Sequence, residues 1–542
     1  MTHRGALGVL CAVALLAPPA AAAAPSFTDG NGLHVTATRQ FGSRDFGVKV
    51  DSRELGRPVD VRILLPAGYD DQPSRRWPVL YLFHGTSGRA SDWVMMGAAE
   101  KTTAKSPFIV VMPDAGFNGD GGGWFTDAYN DGKGGVPMWE TFHIKHVIPW
   151  VDATLRTIPE RRGRAIYGLS QGGFGALSYA ARHPDMFVAA GSFSGAVDTT
   201  ADSDAQLLVT PIIQATAVGL NGTGPDVMFG PRSTQQVNWA AHDPATLVEN
   251  LRGMDLRLYT GNGSAGPFDP PVPNPGSAAI EAGVHRLTEL FQMRAASAGI
   301  ITSYHDYGAG THSWGYWTRD LQQVEPALTE VFADPPAAPA RITYGSGDGT
   351  WSAWGWDVKI DRPAREFSTL SSAAADGFAL SGSGTGRVRT PPVYLPGSTA
   401  TVVLKGDGID RSSSLVADAN GRLALDVPLG PGNPDQQYTP EAAMSGTKVF
   451  TTKVTINGVL RPATCASRAL TLRLRIPRGA SVGRVRATLD GRRIAARRRG
   501  GSVTVTLGEL TAGPHRVRVA GRARLAHRPR SVTLRAQRTV RC

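Results

Sequence analysis

The chain has 542 residues, 41% of them apolar and 19% charged, which provides for several hydrophobic cores and excludes a disordered polyelectrolyte. Three cysteines exclude a disulfide-dense miniprotein, and beyond the N-terminal two dozen residues no stretch reaches the ~18 uncharged apolar residues of a membrane span. The formal net charge is +12, and it is unevenly placed along the chain.

Residues 1–24 read as an export signal: Arg4 supplies the positive start, residues 6–16 the apolar core, and residues 20–24 the small-residue cleavage zone. The expected localisation is therefore secreted, extracellular or cell envelope. Residues 77–83, Trp-Pro-Val-Leu-Tyr-Leu-Phe, form an apolar run that predicts a buried strand, and it leads into the loop His84-Gly85-Thr86-Ser87-Gly88. Trp124, Phe125 and Trp139 follow in segments that read as loops.

The most informative stretch is Gly168-Leu169-Ser170-Gln171-Gly172. With 64 glycines in the chain, Gly-x-Ser-x-Gly alone is weak, and a Gly-rich packing turn competes with a nucleophile. Its context is stronger: an apolar strand pattern precedes it and a helical pattern follows. That is the setting in which a sharp turn presents a serine hydroxyl to a base, as in α/β-hydrolases. In that fold the nucleophile is followed along the chain by an acid and then a histidine, each in a loop after a strand. Residues 256–260 predict such a strand, and the loop after it ends at Asp269, the expected acid. Glu281 and Glu289 are alternatives, but both fall in a predicted helix over 278–298, where a charge is usually solvated. A further strand is expected over 300–304, and the loop 308–314 carries His312, the expected base, in preference to His305. The main-chain amides of Thr86 and Gln171 are the expected oxyanion donors; His84 reads as a loop-shaping residue. Trp124, Trp139 and Trp314, with Phe125 and Trp317, are candidate pocket walls, ordinary packing being the competing role.

Residues 335–340 are Pro/Ala-rich and read as a stiff linker that closes a hydrolase domain of residues 25–334. Short alternating runs punctuated by Gly, Ser and Pro then predict a β-sandwich-like domain over 341–460 and a small β-domain over 461–542. From residue 463 on there are 20 arginines, no lysine and two acids, a net +18, leaving the rest of the chain mildly acidic. This predicts contact with an anionic cell-wall polymer or membrane surface, with no nucleic acid expected; a solvated Arg-rich strand face is the plain alternative. Cys465 and Cys542 bracket this segment and, in an exported chain, predict a disulfide.

Seven blocks of residues 35–330 resemble the branch of α/β-hydrolases that contains the esterase D-like esterases and the secreted mycolyltransferases. They are Leu64-Leu65-Pro66 with Gly68-Tyr69, Tyr81-Leu82-Phe83-His84-Gly85, Met112-Pro113-Asp114, Trp139-Glu140-Thr141-Phe142, Gly168-Leu169-Ser170, Gly261-Asn262-Gly263, and Thr311-His312-Ser313-Trp314 with Tyr316-Trp317. The resemblance implies an α/β fold and ester chemistry without cofactor or metal. Where mycolyltransferases carry an Asp and an Arg that help hold trehalose, this chain has His84 and Ser87, as ordinary esterases of the branch begin that loop with His-Gly. The expected function is a secreted serine esterase acting through an acyl-enzyme on an ester that is lipid- or sugar-linked. A mycolyltransferase-like acyltransferase and a non-catalytic surface-binding protein are the competing classes.

Overall fold

The computed structural model describes residues 25–541 apart from 118, 130–136, 201–202, 220–222, 273, 462–463, 466–467, 475, 477–479, 484, 500–501, 508–509, 512–513 and 526–530. The expected export signal lies outside the described residues. So does the expected disulfide, because Cys542 and the side chain of Cys465 are not among them. No helix of the described residues is long and apolar enough to cross a membrane.

The chain falls into two compact units. One runs to Val388 and takes in Leu404–Arg411 and Leu425–Thr455; the other comprises Arg389–Val403, Ser412–Ala424 and the chain from Ile456 on.

The first unit is built on a nine-stranded mixed sheet: β1 (His34–Gln40), β2 (Asp45–Asp51), β3 (Val59–Leu64), β4 (Val79–Phe83), β5 (Ile109–Pro113), β6 (Arg164–Leu169), β7 (Ala189–Phe193), β8 (Asp255–Thr260) and β9 (Ser303–Asp306). Their spatial order is β1-β2-β3-β5-β4-β6-β7-β8-β9. The first three pairings in that order are antiparallel and the other five parallel. β4, β5, β6 and β7 are buried along their whole length, which is why they read as unbroken apolar runs: helices cover both faces. Strand alternation then sorts the side chains. Tyr81, Phe83, Val111 and Ile166 pack on one side with Ala176, Leu177 and Ala180 of the helix Gln171–Arg182. Leu80, Leu82, Val110 and Tyr167 pack on the other with Leu321, Val324, Leu328 and Val331 of the helix Trp314–Ala333. That second stripe has the three-and-four spacing of an amphipathic helix face.

The run 335–340, expected as a linker, lies against the domain of the nine-stranded sheet: Arg161 Nη1 donates to the Pro336 carbonyl at 3.0 Å. After it come β10 (Ile342–Ser346), β11 (Thr350–Ala353), β12 (Trp356–Asp361), β13 (Ser368–Ala374), β14 (Gly377–Gly382) and β15 (Thr385–Arg389), then β16 (Thr399–Gly406), β17 (Ile409–Val416), β18 (Ala424–Pro428) and β19 (Phe450–Asn457). Strands β10, β13, β14 and β19 join antiparallel in one sheet, while β11, β12, β15 and β18 form another. Trp354 and Gly355 turn β11 into β12 with φ of 53° and 77°, the left-handed pair that a two-residue hairpin of this twist demands. The tip of this hairpin meets the domain of the nine-stranded sheet, where the Trp354 amide donates to Asp185 at 3.0 Å. Beside it, Tyr344 donates to the Arg182 carbonyl at 2.8 Å, at the end of the helix Gln171–Arg182. The Arg182 guanidinium lies 2.9 Å from Glu140 and 3.2 Å from Asp348. Its charge holds the Glu140 carboxyl far below the ordinary range against the desolvation of burial.

Candidate active site

Ser170 follows β6 directly, with φ 52° and ψ −123°, and the helix Gln171–Arg182 begins at the next residue. A non-glycine residue in that region stores strain, and here the strain turns the hydroxyl outward at the strand end. The glycines around it are required by closeness: a Cβ on Gly172 would sit 2.3 Å from the His84 carbonyl oxygen, and one on Gly168 2.3 Å from that of Gly172.

His312 reaches this hydroxyl from the loop between β9 and the helix Trp314–Ala333. Its Nε2 is 2.9 Å from Ser170 Oγ and its Nδ1 is 2.7 Å from Glu281 Oε2. The loop is clamped to the helix that carries Glu281: Ser277 Oγ donates to the His312 carbonyl at 2.6 Å, and the His312 amide donates to the Ser277 carbonyl at 3.2 Å. That helix, Pro275–Ser297, starts where Asn274 caps the amides of Gly276 and Ser277 and Pro275 takes the first turn.

The acid position corrects the expectation. Asp269 does not contact His312. Its carboxylate accepts from Tyr316 Oη at 2.7 Å, from the Gly266 amide at 2.8 Å and from Thr311 Oγ1, so it braces its own loop against the His-bearing one. Glu281 takes the place beside His312 although it lies in a helix. Its side chain is fully buried, which for a carboxylate requires pairing throughout. Besides His312 it accepts from Ser194 Oγ at 2.7 Å, the Gly261 amide at 2.8 Å and Tyr307 Oη at 3.4 Å. Glu289, the other alternative, is half exposed and lies 3.7 Å from His285.

His305 belongs to β9, which begins at Ser303 rather than at 300, and its ring stacks on Tyr259 at 4.4 Å. Burial, then the neighbouring Arg257, pushes its pKa down. His84 is buried; its Nε2 accepts from the Ala115 amide at 2.9 Å, so Nδ1–H donates to the Gly85 carbonyl at 2.8 Å. Desolvation lowers its pKa to about 4, which keeps it neutral and suits a residue that shapes the loop.

That loop sets Thr86 beside Gln171: Thr86 Oγ1 donates to Gln171 Oε1 at 2.7 Å. The Gln171 amide opens the first turn of its helix, where main-chain N–H groups lack intrahelical partners. Both residues line a cavity of about 470 Å³ that also contains Ser170 and His312. Trp124, Trp314 and Trp317 line it as well. Trp139 and Phe125 do not, which corrects their assignment as pocket walls. Trp139 packs inward at 5.1 Å from Phe117, and Phe125 stacks on Phe83 at 4.3 Å.

Most of the pocket wall was not among the sequence candidates. Leu208, Val209 and Ile212 come from the helix Ser203–Gly219, and Ile280, Val284 and Leu287 from the helix that carries Glu281. The cavity is thus polar at Ser170 and apolar along its length, the usual composition of a small-molecule site.

A family model described as putative esterase matches residues 52–328. Esterase Rv1288 of Mycobacterium tuberculosis is 31% identical over 285 residues, which cover 52% of this chain and 59% of that protein. The chain therefore spans less than two thirds of that relative's length. The diacylglycerol acyltransferase/mycolyltransferase Ag85B of Mycobacterium avium is 29% identical over 288 residues, covering 52% of this chain and 81% of that one. Among solved structures, Mycobacterium tuberculosis MPT51 aligns with 26% identity and a TM-score of 0.42, over 52% of this chain and 97% of its own.

Proposed function

The chain belongs to the putative esterase family, and from that premise we propose that it is a serine hydrolase of carboxylic esters that works through an acyl-enzyme. The observation that carries this reading is the hydrogen-bonded series Ser170–His312–Glu281, begun at a strained strand-to-helix turn. His312 Nε2 accepts the Ser170 proton as Oγ attacks the ester carbonyl. Glu281 holds the tautomer with hydrogen on Nδ1 and stabilises the imidazolium that forms. The negative charge developing on the carbonyl oxygen falls to the Thr86 and Gln171 amides. The alcohol leaves with the proton from His312, and water, activated by the same imidazole, releases the acid.

The apolar wall of Leu208, Val209, Ile212, Val284 and Leu287 supports an apolar acyl group, each buried methylene contributing about 0.8 kcal/mol of binding. In a series of p-nitrophenyl esters, kcat/KM should rise from acetyl toward medium chains. Val284→Trp, which fills the cavity, should remove that rise and leave acetyl hydrolysis within about threefold. A flat series unaffected by the tryptophan would sink the pocket assignment. Running the series with and without trehalose separates hydrolysis from acyl transfer: a reading of hydrolysis requires free acid as the product in both arms.

A further inference from the structure

The second unit carries a charged surface that ester chemistry does not use. Its strands include β20 (Thr464–Cys465), β21 (Arg468–Arg473), β22 (Ala480–Val482), β23 (Arg486–Leu489), β24 (Arg492–Ile494), β25 (Ala496–Arg499), β26 (Ser502–Leu507), β27 (Leu510–Thr511), β28 (Pro514–Leu525) and β29 (Ser531–Arg541). β28 is the centre of one sheet. β29 pairs with it along one edge, β22 and β23 along the other, and β24 pairs with β23.

Alternation along β28 is strict. Val517, Val519 and Ala523 are buried against Val503, Val505 and Leu507, while Arg516, Arg518, Arg522 and Arg524 are exposed. Register extends the exposed side across the sheet, because directly opposed residues share a face. Ala520 sits between Arg486 on β23 and Arg535 on β29, and Thr488, the partner of Arg518, is also the partner of Arg493. Arg486, Arg493 and Arg535 are themselves exposed. Seven arginines therefore occupy one face of four adjacent strands. Among the described residues none of the seven is in an ion pair; the described acid of this sheet, Asp490, is taken by His515 at 2.6 Å and by the Arg516 amide.

Guanidinium groups stay charged at any physiological pH, so such an array repels itself and destabilises the sheet unless an anion covers it. Its shape selects among anions. With strands ~4.8 Å apart and ~3.4 Å per residue, the array is roughly 14 Å by 27 Å. A linear polymer meets a single row of it, whereas a planar lattice of headgroups meets all of it. The residues between the arginines are Thr488, Ala520 and Gln537, with no aromatic ring on which a nucleic-acid base could stack. We propose that this face docks the protein on an anionic lipid bilayer through headgroup phosphates.

The experiment is co-sedimentation of the full-length protein with vesicles of phosphatidylcholine alone or with about a third phosphatidylglycerol, at low and high salt. Binding is expected only to the anionic vesicles, weakening as salt shortens the screening length. A variant with Arg516→Gln, Arg518→Gln, Arg522→Gln and Arg524→Gln should lose roughly a hundredfold or more in partitioning, at about fivefold per arginine. The matching four Arg→Lys changes should retain binding within about tenfold. Equal partitioning of the Gln variant and the parent overturns the proposal. So does loss of binding in the Lys variant, or binding to soluble heparin or polyphosphate without binding to vesicles.

Discussion

Ser170→Ala should lower turnover of a short-chain aryl ester by about 10⁵- to 10⁶-fold, the scale on which removing a triad nucleophile acts. Among the described residues no other serine hydroxyl bonds the His312 imidazole, and the alanine leaves the elbow free of new contacts. His312→Ala should fall nearly as far, because the hydroxyl then keeps its proton. Since the two act as a unit, the double variant should be scarcely worse than either alone, so rates that multiply would count against a shared role. A purified Ser170→Ala protein with more than a few per cent of the parent rate would remove Ser170 from the chemistry.

The second large effect separates the two carboxylates. Glu281→Gln keeps the shape of the side chain, but its NH₂ faces His312 Nδ1 and favours the tautomer with hydrogen on Nε2, which cannot accept from serine. A loss of about 10⁴-fold in kcat is expected. Asp269→Asn should cost less than about tenfold, because Asp269 braces a loop and does not touch the imidazole. Measuring kcat for both with one substrate decides the matter, and a reversal of the two would restore Asp269 as the acid.

The contrast shows what the sequence carries and what it hides. The core strands β4 and β6 are legible because burial on both faces leaves an unbroken apolar run. Ser170 and His312 are legible because a strand end followed by a Gly-rich turn is a local pattern. Glu281 is not local in this sense: its partners Ser194, Gly261, and the pair Tyr307 and His312 come from three other segments. A signal existed nonetheless. Glu281 is in phase with Val284, Leu287, Phe291 and Ala295, the buried stripe of its helix, so a charge on that stripe needed a partner inside the protein. The pocket wall was hidden for another reason. The helix Ser203–Gly219 is apolar on several sides and has no chemical motif, and only the tertiary fold brings Leu208, Val209 and Ile212 to Ser170. Trp139 and Phe125 erred the opposite way, since a loop's sequence does not tell which side its rings take.

The anchorage of Arg182 bears on the order in which the chain is made. Every residue of the proposed triad has been synthesised by His312, yet Tyr344 and Asp348, which fasten the far end of the nucleophile helix, follow some thirty residues later. Until they arrive, Arg182 and Glu140 are a buried pair with one side open, and opening such a pair is costly. A nascent chain that stopped at residue 340 would hold every group of the proposed triad without the contacts that steady the helix presenting one of them. The domain of the nine-stranded sheet is thus finished by a segment that a domain boundary at residue 334 would assign to its neighbour. An expression boundary there should give a protein that folds poorly, because it removes Tyr344, Asp348 and the hairpin at Trp354 together.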